Sequence, residues 1–163
     1  MPQQIYAGQR ITAALLNSIQ PLAATRSSTQ QVTSSVTLIN DDTLFLSLVA
    51  NATYAVGMLL FYSGNNVPGD LNFKFTVPSG ATGTAQIIRV NASGTFVGGS
   101  SNNFTNATNA AAAGAGNIQA LSFSGTLVTS SAGVLQLQWA QNTSSATKTQ
   151  MELNSSLVAW RTA

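Results

Sequence analysis

The sequence predicts an all-β fold: an antiparallel β-sandwich of jelly-roll-like form with about eight strands, preceded by a short N-terminal helix on an extended arm. Three observations carry that expectation. Beyond residue 35, apolar residues recur mostly with a period of two, as in strands with one buried face. Turn-forming clusters of Gly, Pro, Asn, Asp and Ser separate most of these runs. The outward positions are mainly Ser, Thr, Asn and Gln, which suits antiparallel sheets with one wetted face.

The front of the chain reads differently. Ile11, Leu15, Ile19 and Leu22 fall at spacings of four, four and three, which places them on one stripe of a helix. Thr12 is the expected N-cap and Pro21 the expected stop. A helix of about ten residues is marginal alone in water, so this one needs a surface to lie against. The segment "AATRSSTQQVTSS" (Ala23–Ser35) has almost no apolar content and reads as a leash. The expected organisation is a docking helix and linker arm over residues 1–34 and a β-sandwich domain over residues 35–163.

Within the sandwich domain, "SVTLIN" (Ser35–Asn40) and "TLFLSLV" (Thr43–Val49) flank Asp41-Asp42, read as a hairpin turn. "ATYAVGMLLFYS" (Ala52–Ser63) is nearly all apolar, the pattern of a strand covered on both faces. After the turn formers of "GNNVPGD" (Gly64–Asp70), Leu71, Phe73, Phe75 and Val77 alternate inward along "LNFKFTV". "PSGATG" turns the chain into "TAQIIRV" (Thr84–Val90). Leu121, Phe123 and Leu127 then share one side of "IQALSFSGTLVT", and Leu135, Leu137 and Trp139 share one side of "VLQLQWAQ". "TKTQMEL" and "SSLVAWR" close the sheet. Asn91–Asn117 interrupts this order with Gly, Ala, Ser, Thr and Asn, and its bulky apolar residues are Phe96, Val97 and Phe104. It is expected as a partly ordered excursion at one end of the sandwich, with Phe96 and Phe104 as exposed-loop contacts.

Composition narrows the function. Charged residues make up 6% of the 163 residues, against about 25% in an ordinary domain. Ser, Thr, Asn and Gln supply 64 residues, so neutral groups must wet the surface. The 44% of hydrophobic residues, ordered in bursts, argues against disorder. Net charge is +2, and the six cations lie more than ten residues apart, which provides no phosphate-binding cluster and no reason to expect a nucleic acid. With no Cys and no His, the chain lacks disulfides, the usual general base and the usual zinc ligands. The acids Asp41, Asp42, Asp70 and Glu152 show no spacing that selects a catalytic pair. "NDDT" and "NNVPGD" offer oxygens to calcium but lack alternating acidic ligands. No catalytic residue, cofactor or metal site is therefore expected. No apolar run approaches the ~18 residues of a membrane span, and the N-terminal stretch is too interrupted for a signal peptide. Trp160, Tyr6, Tyr54 and Tyr62 leave room for sugar stacking, hence for a carbohydrate-binding module, whereas Trp139 is assigned to the core.

Four segments, "AGQRITAALLNSIQPLA" (Ala7–Ala23), "VANATYAVGMLLFYSG" (Val49–Gly64), "FTVPSGATG" (Phe75–Gly83) and "LQLQWAQNTSSATKT" (Leu135–Thr149), resemble in order a group of small virion structural proteins. These are of decoration or tail-fibre type, encoded by tailed bacteriophages and prophages of actinobacteria. The end of the chain, "NSSLVAWRTA", departs from the Gly-Ser-Trp-Leu-Arg-Leu strand common in that group, and the Ala/Gly-rich loop before Ile118 is expanded. The resemblance implies a non-enzymatic protein on the surface of a phage head or tail, with capsid or tail proteins as partners. Ile11, Leu15, Ile19 and Leu22 would then dock on the particle. The neutral sheet faces would meet copies of the same chain, with a homotrimer expected. The alternative is a receptor-binding tail protein or carbohydrate-binding module that contacts host-wall glycans.

Overall fold

The computed structural model describes residues 5–13, 15, 19–64, 70–90, 95–101, 103–112, 114 and 116–163. Twelve strands run through them: β1 (Leu22–Thr25), β2 (Gln30–Val32), β3 (Ile39–Leu48), β4 (Ala52–Ser63), β5 (Leu71–Thr76), β6 (Thr82–Val90), β7 (Phe96–Ser101), β8 (Thr108–Ala110), β9 (Gln119–Thr129), β10 (Gly133–Gln141), β11 (Thr149–Met151) and β12 (Ser156–Arg161). They form two antiparallel sheets. The wide sheet has the order β1-β12-β4-β9-β6-β7, with β11 beside β4 and β2 beside β11, and the narrow sheet has the order β3-β10-β5-β8. Because the chain alternates between sheets, β3-β10-β5-β8 and β4-β9-β6-β7 together reproduce the eight-strand order of a jelly roll.

The period-two pattern puts one apolar row of each sheet between them. Leu44, Leu46 and Leu48 of β3, Phe73 and Phe75 of β5, and Leu135, Leu137 and Trp139 of β10 are buried in one cluster. The wide sheet contributes Tyr54, Val56, Met58 and Leu60 of β4 and Leu121, Phe123 and Leu127 of β9 to the same cluster. Phe75 and Phe123, one from each sheet, meet with ring centroids 4.9 Å apart. Each fully buried side chain of this kind contributes about 1.5–3 kcal/mol.

Three expectations require correction. Asp41-Asp42 is not a hairpin turn: β3 continues through it. The pairing of β3 with β10 instead slips register between Gln136↔Phe45 and Gln138↔Asn40. The cause is local. Asp41 Oδ1 accepts the backbone N–H groups of Thr43 at 3.0 Å and Leu44 at 2.8 Å, which bends the strand without ending it.

The leash is the second correction. Residues 22–32 do not stand off the body: β1 pairs with β12 and β2 with β11, each residue by residue. Backbone hydrogen bonding to a sheet edge does not require apolar side chains, so poor apolar content did not make this segment free. The two strand pairs are separated by a matched interruption, where Arg26 N–H donates to the Ser155 carbonyl at 2.9 Å and Asn154 N–H donates to the Arg26 carbonyl at 3.1 Å.

The N-terminal helix is not borne out as an element: every described element is a strand. Thr12 Oγ1 does accept the Leu15 N–H at 3.2 Å, as an N-cap would, and Ala13, Leu15 and Ile19 have helical backbone. Residues 14 and 16–18 of the expected helix lie outside the described residues. Leu22 does not belong to that stripe, because it opens β1 opposite Ala159.

In the stretch Asn91–Asn117, expected to be partly ordered, two short strands are present among the described residues. These are β7, paired with β6, and β8, paired with β5.

Candidate functional site

Among the described residues the four acids are placed apart from one another, except for the adjacent Asp41 and Asp42. Asp41 lies in a buried ion pair with Arg26, Nη1 to Oδ1 at 2.6 Å, and both side chains are fully buried. Asp42, next in β3, sits 2.9 Å from the same Nη1. Arg26 Nε donates to the Ser28 carbonyl at 3.1 Å. Asp70 accepts from Thr149 Oγ1 at 2.9 Å. Glu152 accepts from Ser63 Oγ at 2.6 Å and from Gln150 Nε2 at 3.0 Å. Each acid is thus engaged in cross-linking strands, and among the described residues no three His, Cys, Asp or Glu side chains converge in a way that could hold a metal. No described helix is long and apolar enough to cross a membrane.

The acidity of the Tyr62 phenol is shifted by its surroundings. Its hydroxyl is buried, donates to the Ala111 carbonyl at 2.6 Å and lies 3.2 Å from Gln119 Oε1. Burial pushes its pKa up to about 12; the Arg89 charge opposes that rise and the Asp70 charge adds to it. A phenol held neutral in this way is a structural tie between the segment after β8 and the wide sheet, not a proton donor at neutral pH.

The expected docking residues are placed unequally. Ile11 is 57% exposed and Ile19 44% exposed. Leu15 is 7% exposed and lies outside the cluster that joins the two sheets. Leu22 is exposed at the open edge of β1. Ile5 and Tyr6 are exposed as well, in a turn where Gln9 N–H donates to the Tyr6 carbonyl at 3.0 Å. Several exposed apolar side chains therefore precede β1, and none of Ile5, Tyr6, Ile11 and Ile19 belongs to the core between the sheets.

Phe104 is not an exposed contact. It is 2% exposed and packs edge-on against Phe123, with centroids 5.1 Å apart, and against Phe75 at 6.0 Å. Its carbonyl accepts the Phe75 N–H at 2.9 Å. The ring closes one end of the core over Gly83, where an added Cβ would stand 2.9 Å from the ring and 2.4 Å from the Thr126 carbonyl. A large aromatic in a stretch of mostly small polar residues is itself a signal of anchoring, since burial of such a ring is a large part of the apolar gain open to the segment. Phe96 lies in β7 opposite Val90, and its side chain lies outside the described residues.

The sequence pointed to neutral sheet faces as contact surfaces without distinguishing one sheet from the other, and the outer face of the wide sheet is the less charged of the two. Leu59 of β4, Ile88 of β6, Val128 of β9 and Trp160 of β12 are exposed there, with Trp160 at 47%. Gly57 and Ser124 sit opposite each other in the middle of it, flanked by Val158 and Gln86. Among the described residues, no outward position of β4, β6, β9 or β12 between Thr53 and Phe61, Thr84 and Ile88, Ala120 and Val128, or Ser156 and Trp160 is ionisable. The outer face of the narrow sheet also exposes apolar residues, Phe45 and Val134, but it carries the charged Lys74 and Asp42 and the amides of Gln136 and Gln138 beside them.

Fold and surface together define an all-β protein of two facing antiparallel sheets with an apolar N-terminal segment. No protein-family model and no curated protein sequence matches it. Among solved structures it is similar to the tripod (BppUct-A-L) from the baseplate of bacteriophage Tuc2009, with 13% identity and a TM-score of 0.37, over 98% of this chain and 73% of that one. It is also similar to a chain of infectious bursal disease virus, Gt strain, with 10% identity and a TM-score of 0.22, over 87% of this chain and 36% of that one. The VP2 subviral particle of infectious bursal disease virus gives 11% identity and a TM-score of 0.22, over 87% and 40%. The chain thus spans well under half the length of the bursal disease virus chains, and at these TM-scores none of the three likenesses carries an argument about function.

Proposed function

We propose that this protein is a non-enzymatic structural component of a phage particle, held on the head or tail surface by its N-terminal segment while the sandwich faces outward. The observation that carries the reading is the run of exposed apolar side chains before β1, Ile5, Tyr6, Ile11 and Ile19. Exposed apolar side chains gathered on one short segment are the means by which a small protein grips a larger surface. Two further features support the reading. The four ordered sequence segments resemble small virion proteins, and the acids are consumed in strand cross-links rather than gathered in a cleft. Jelly rolls are a recurring architecture of viral shells, though the fold serves lectins as well, so topology alone does not choose between them.

The attachment surface is residues 5–20, because the chain beyond Pro21 is committed to the sheet. Several copies on one particle would strengthen a grip that a few side chains give only weakly. The test is co-sedimentation of the purified chain with particles from which it has been stripped. The full chain is expected to pellet with the particles. A chain lacking residues 1–20 is expected to stay in solution with an unchanged far-UV circular dichroism spectrum. Undiminished binding by the shortened, folded chain would overturn the attachment reading.

A further inference from the structure

We infer that the outer face of the wide sheet is an interface between copies of this chain. The inference goes beyond particle attachment and stands whether or not that reading is right. It begins with β4, whose sequence is apolar on both sides. The narrow sheet covers the inner side. The outer side, with Leu59 exposed and Phe61 half-exposed, is left open in the single chain.

Three properties of the face favour a second copy as its cover. Contact about a rotation axis brings like groups near one another, so any charge close to the axis meets its own sign. No described outward position on the central four strands carries one. A foreign partner of ordinary composition, with about a quarter of its residues charged, would have charges to desolvate against this face. A chain with 6% charged residues has few.

The face is also shaped to meet itself. Its middle is a shallow trough of small side chains, Gly57, Ser124 and Ala55, and the groove beside it is lined by Thr84, Gln86 and Thr126. Bulky residues border the trough: Leu59 and Ile88 at one end, Trp160 and Val128 at the other. The ridge of one copy can seat in the trough of another.

The size suffices as well. Four strands at ~4.8 Å spacing and about nine residues of length give roughly 570 Å² on each copy, so two such faces together exceed the ~1,000 Å² that a specific interface needs. A standard interface covers about 800 Å² on each partner.

The experiment uses the full chain. Sedimentation velocity at ~10–50 μM is expected to show a species at a small multiple of 16.8 kDa. Ser124→Lys combined with Leu59→Lys places two charges on the face and is expected to shift the protein to the monomer. Ser47→Lys, on the exposed side of β3 in the narrow sheet, is expected to leave the oligomer intact. A second reading needs no variant. Trp139 is fully buried while Trp160 lies on the face, so iodide quenching reports mainly Trp160 and is expected to rise as the protein is diluted through its dissociation range. A monomeric wild type overturns the inference. So does a folded double variant that remains oligomeric, or an oligomer whose dissociation leaves iodide quenching unchanged.

Discussion

Arg26 is the residue on which the body's first turn depends. It is fully buried, and its Nη1 serves both Asp41 and Asp42 while its backbone bridges to Asn154 and Ser155. It therefore ties the interruption between β1 and β2 to the bend in β3. Arg26 Nη2 and Asp41 Oδ2 have no hydrogen-bond partner among the described residues, so the pair is incompletely satisfied and its net contribution is small. Removal of one member is a different matter. Arg26→Met is expected to destabilise the protein by about 3–5 kcal/mol, because Asp41 is left charged and buried. The combination of Arg26→Met and Asp41→Leu is expected to recover most of that loss, short of the turn hydrogen bonds to Thr43 and Leu44. Urea denaturation of the three proteins measures both effects; equal stability of the single and double variants would contradict the account.

Tyr62 supplies a second residue-scale prediction, in alkaline solution. Its pKa is about 12 in the folded chain and near 10 when unfolded. Folding holds the phenol neutral, so its contribution is complete below pH 10 and is lost as pH rises from 10 to 12. The unfolded chain releases a proton in that window and the folded chain does not, which lowers stability by about 1.4 kcal/mol per pH unit, roughly 3 kcal/mol in all. Tyr62→Phe is expected to remove this component, seen as a flatter dependence of the urea midpoint on pH between 10 and 12.

At the scale of elements, β1 and β2 show why a polar segment can be structural. Ala24 and Val32 are the apolar inward contributions of this stretch, yet the backbone of both strands is paired to the C-terminal strands. A chain lacking residues 1–30 loses β1, most of the edge pairing of β12 and the Arg26 bridge. It is expected to unfold at a distinctly lower urea concentration than a chain lacking residues 1–20, which keeps all three. Equal midpoints would show that β1 is dispensable. Phe104 makes the same point at the far end: one ring packed on Phe75 and Phe123 holds the segment that leads into β8.

For the molecule as a whole, the first and last of the described strands are neighbours: β1 lies against β12, and the Thr53 carbonyl accepts the Thr162 N–H at 2.8 Å. The N-terminal apolar segment therefore enters at the outer edge of the wide sheet. The uncharged outer face of that same sheet spreads away from this edge. Attachment and self-association, as proposed here, would use neighbouring but separate surfaces, so a variant that abolishes one need not disturb the other.

The sequence by itself determined what periodicity and chemistry can encode. Inward rows such as Leu71, Phe73 and Phe75, or Leu135, Leu137 and Trp139, are buried as their alternation requires. The all-β class follows from such rows, and the missing His and Cys removed whole branches of chemistry before any geometry was considered. Only the tertiary structure decided where backbone pairing recruits polar segments, because the edge of a sheet selects its neighbour by hydrogen bonds that any side chain permits. It also decided that Asp41-Asp42 bends a strand instead of ending it, since the outcome rested on a partner, Arg26, fifteen residues away. And it decided that the second apolar face of β4 stays open in one chain. Apolar residues on both faces of a strand require two covers, and the narrow sheet can supply only one.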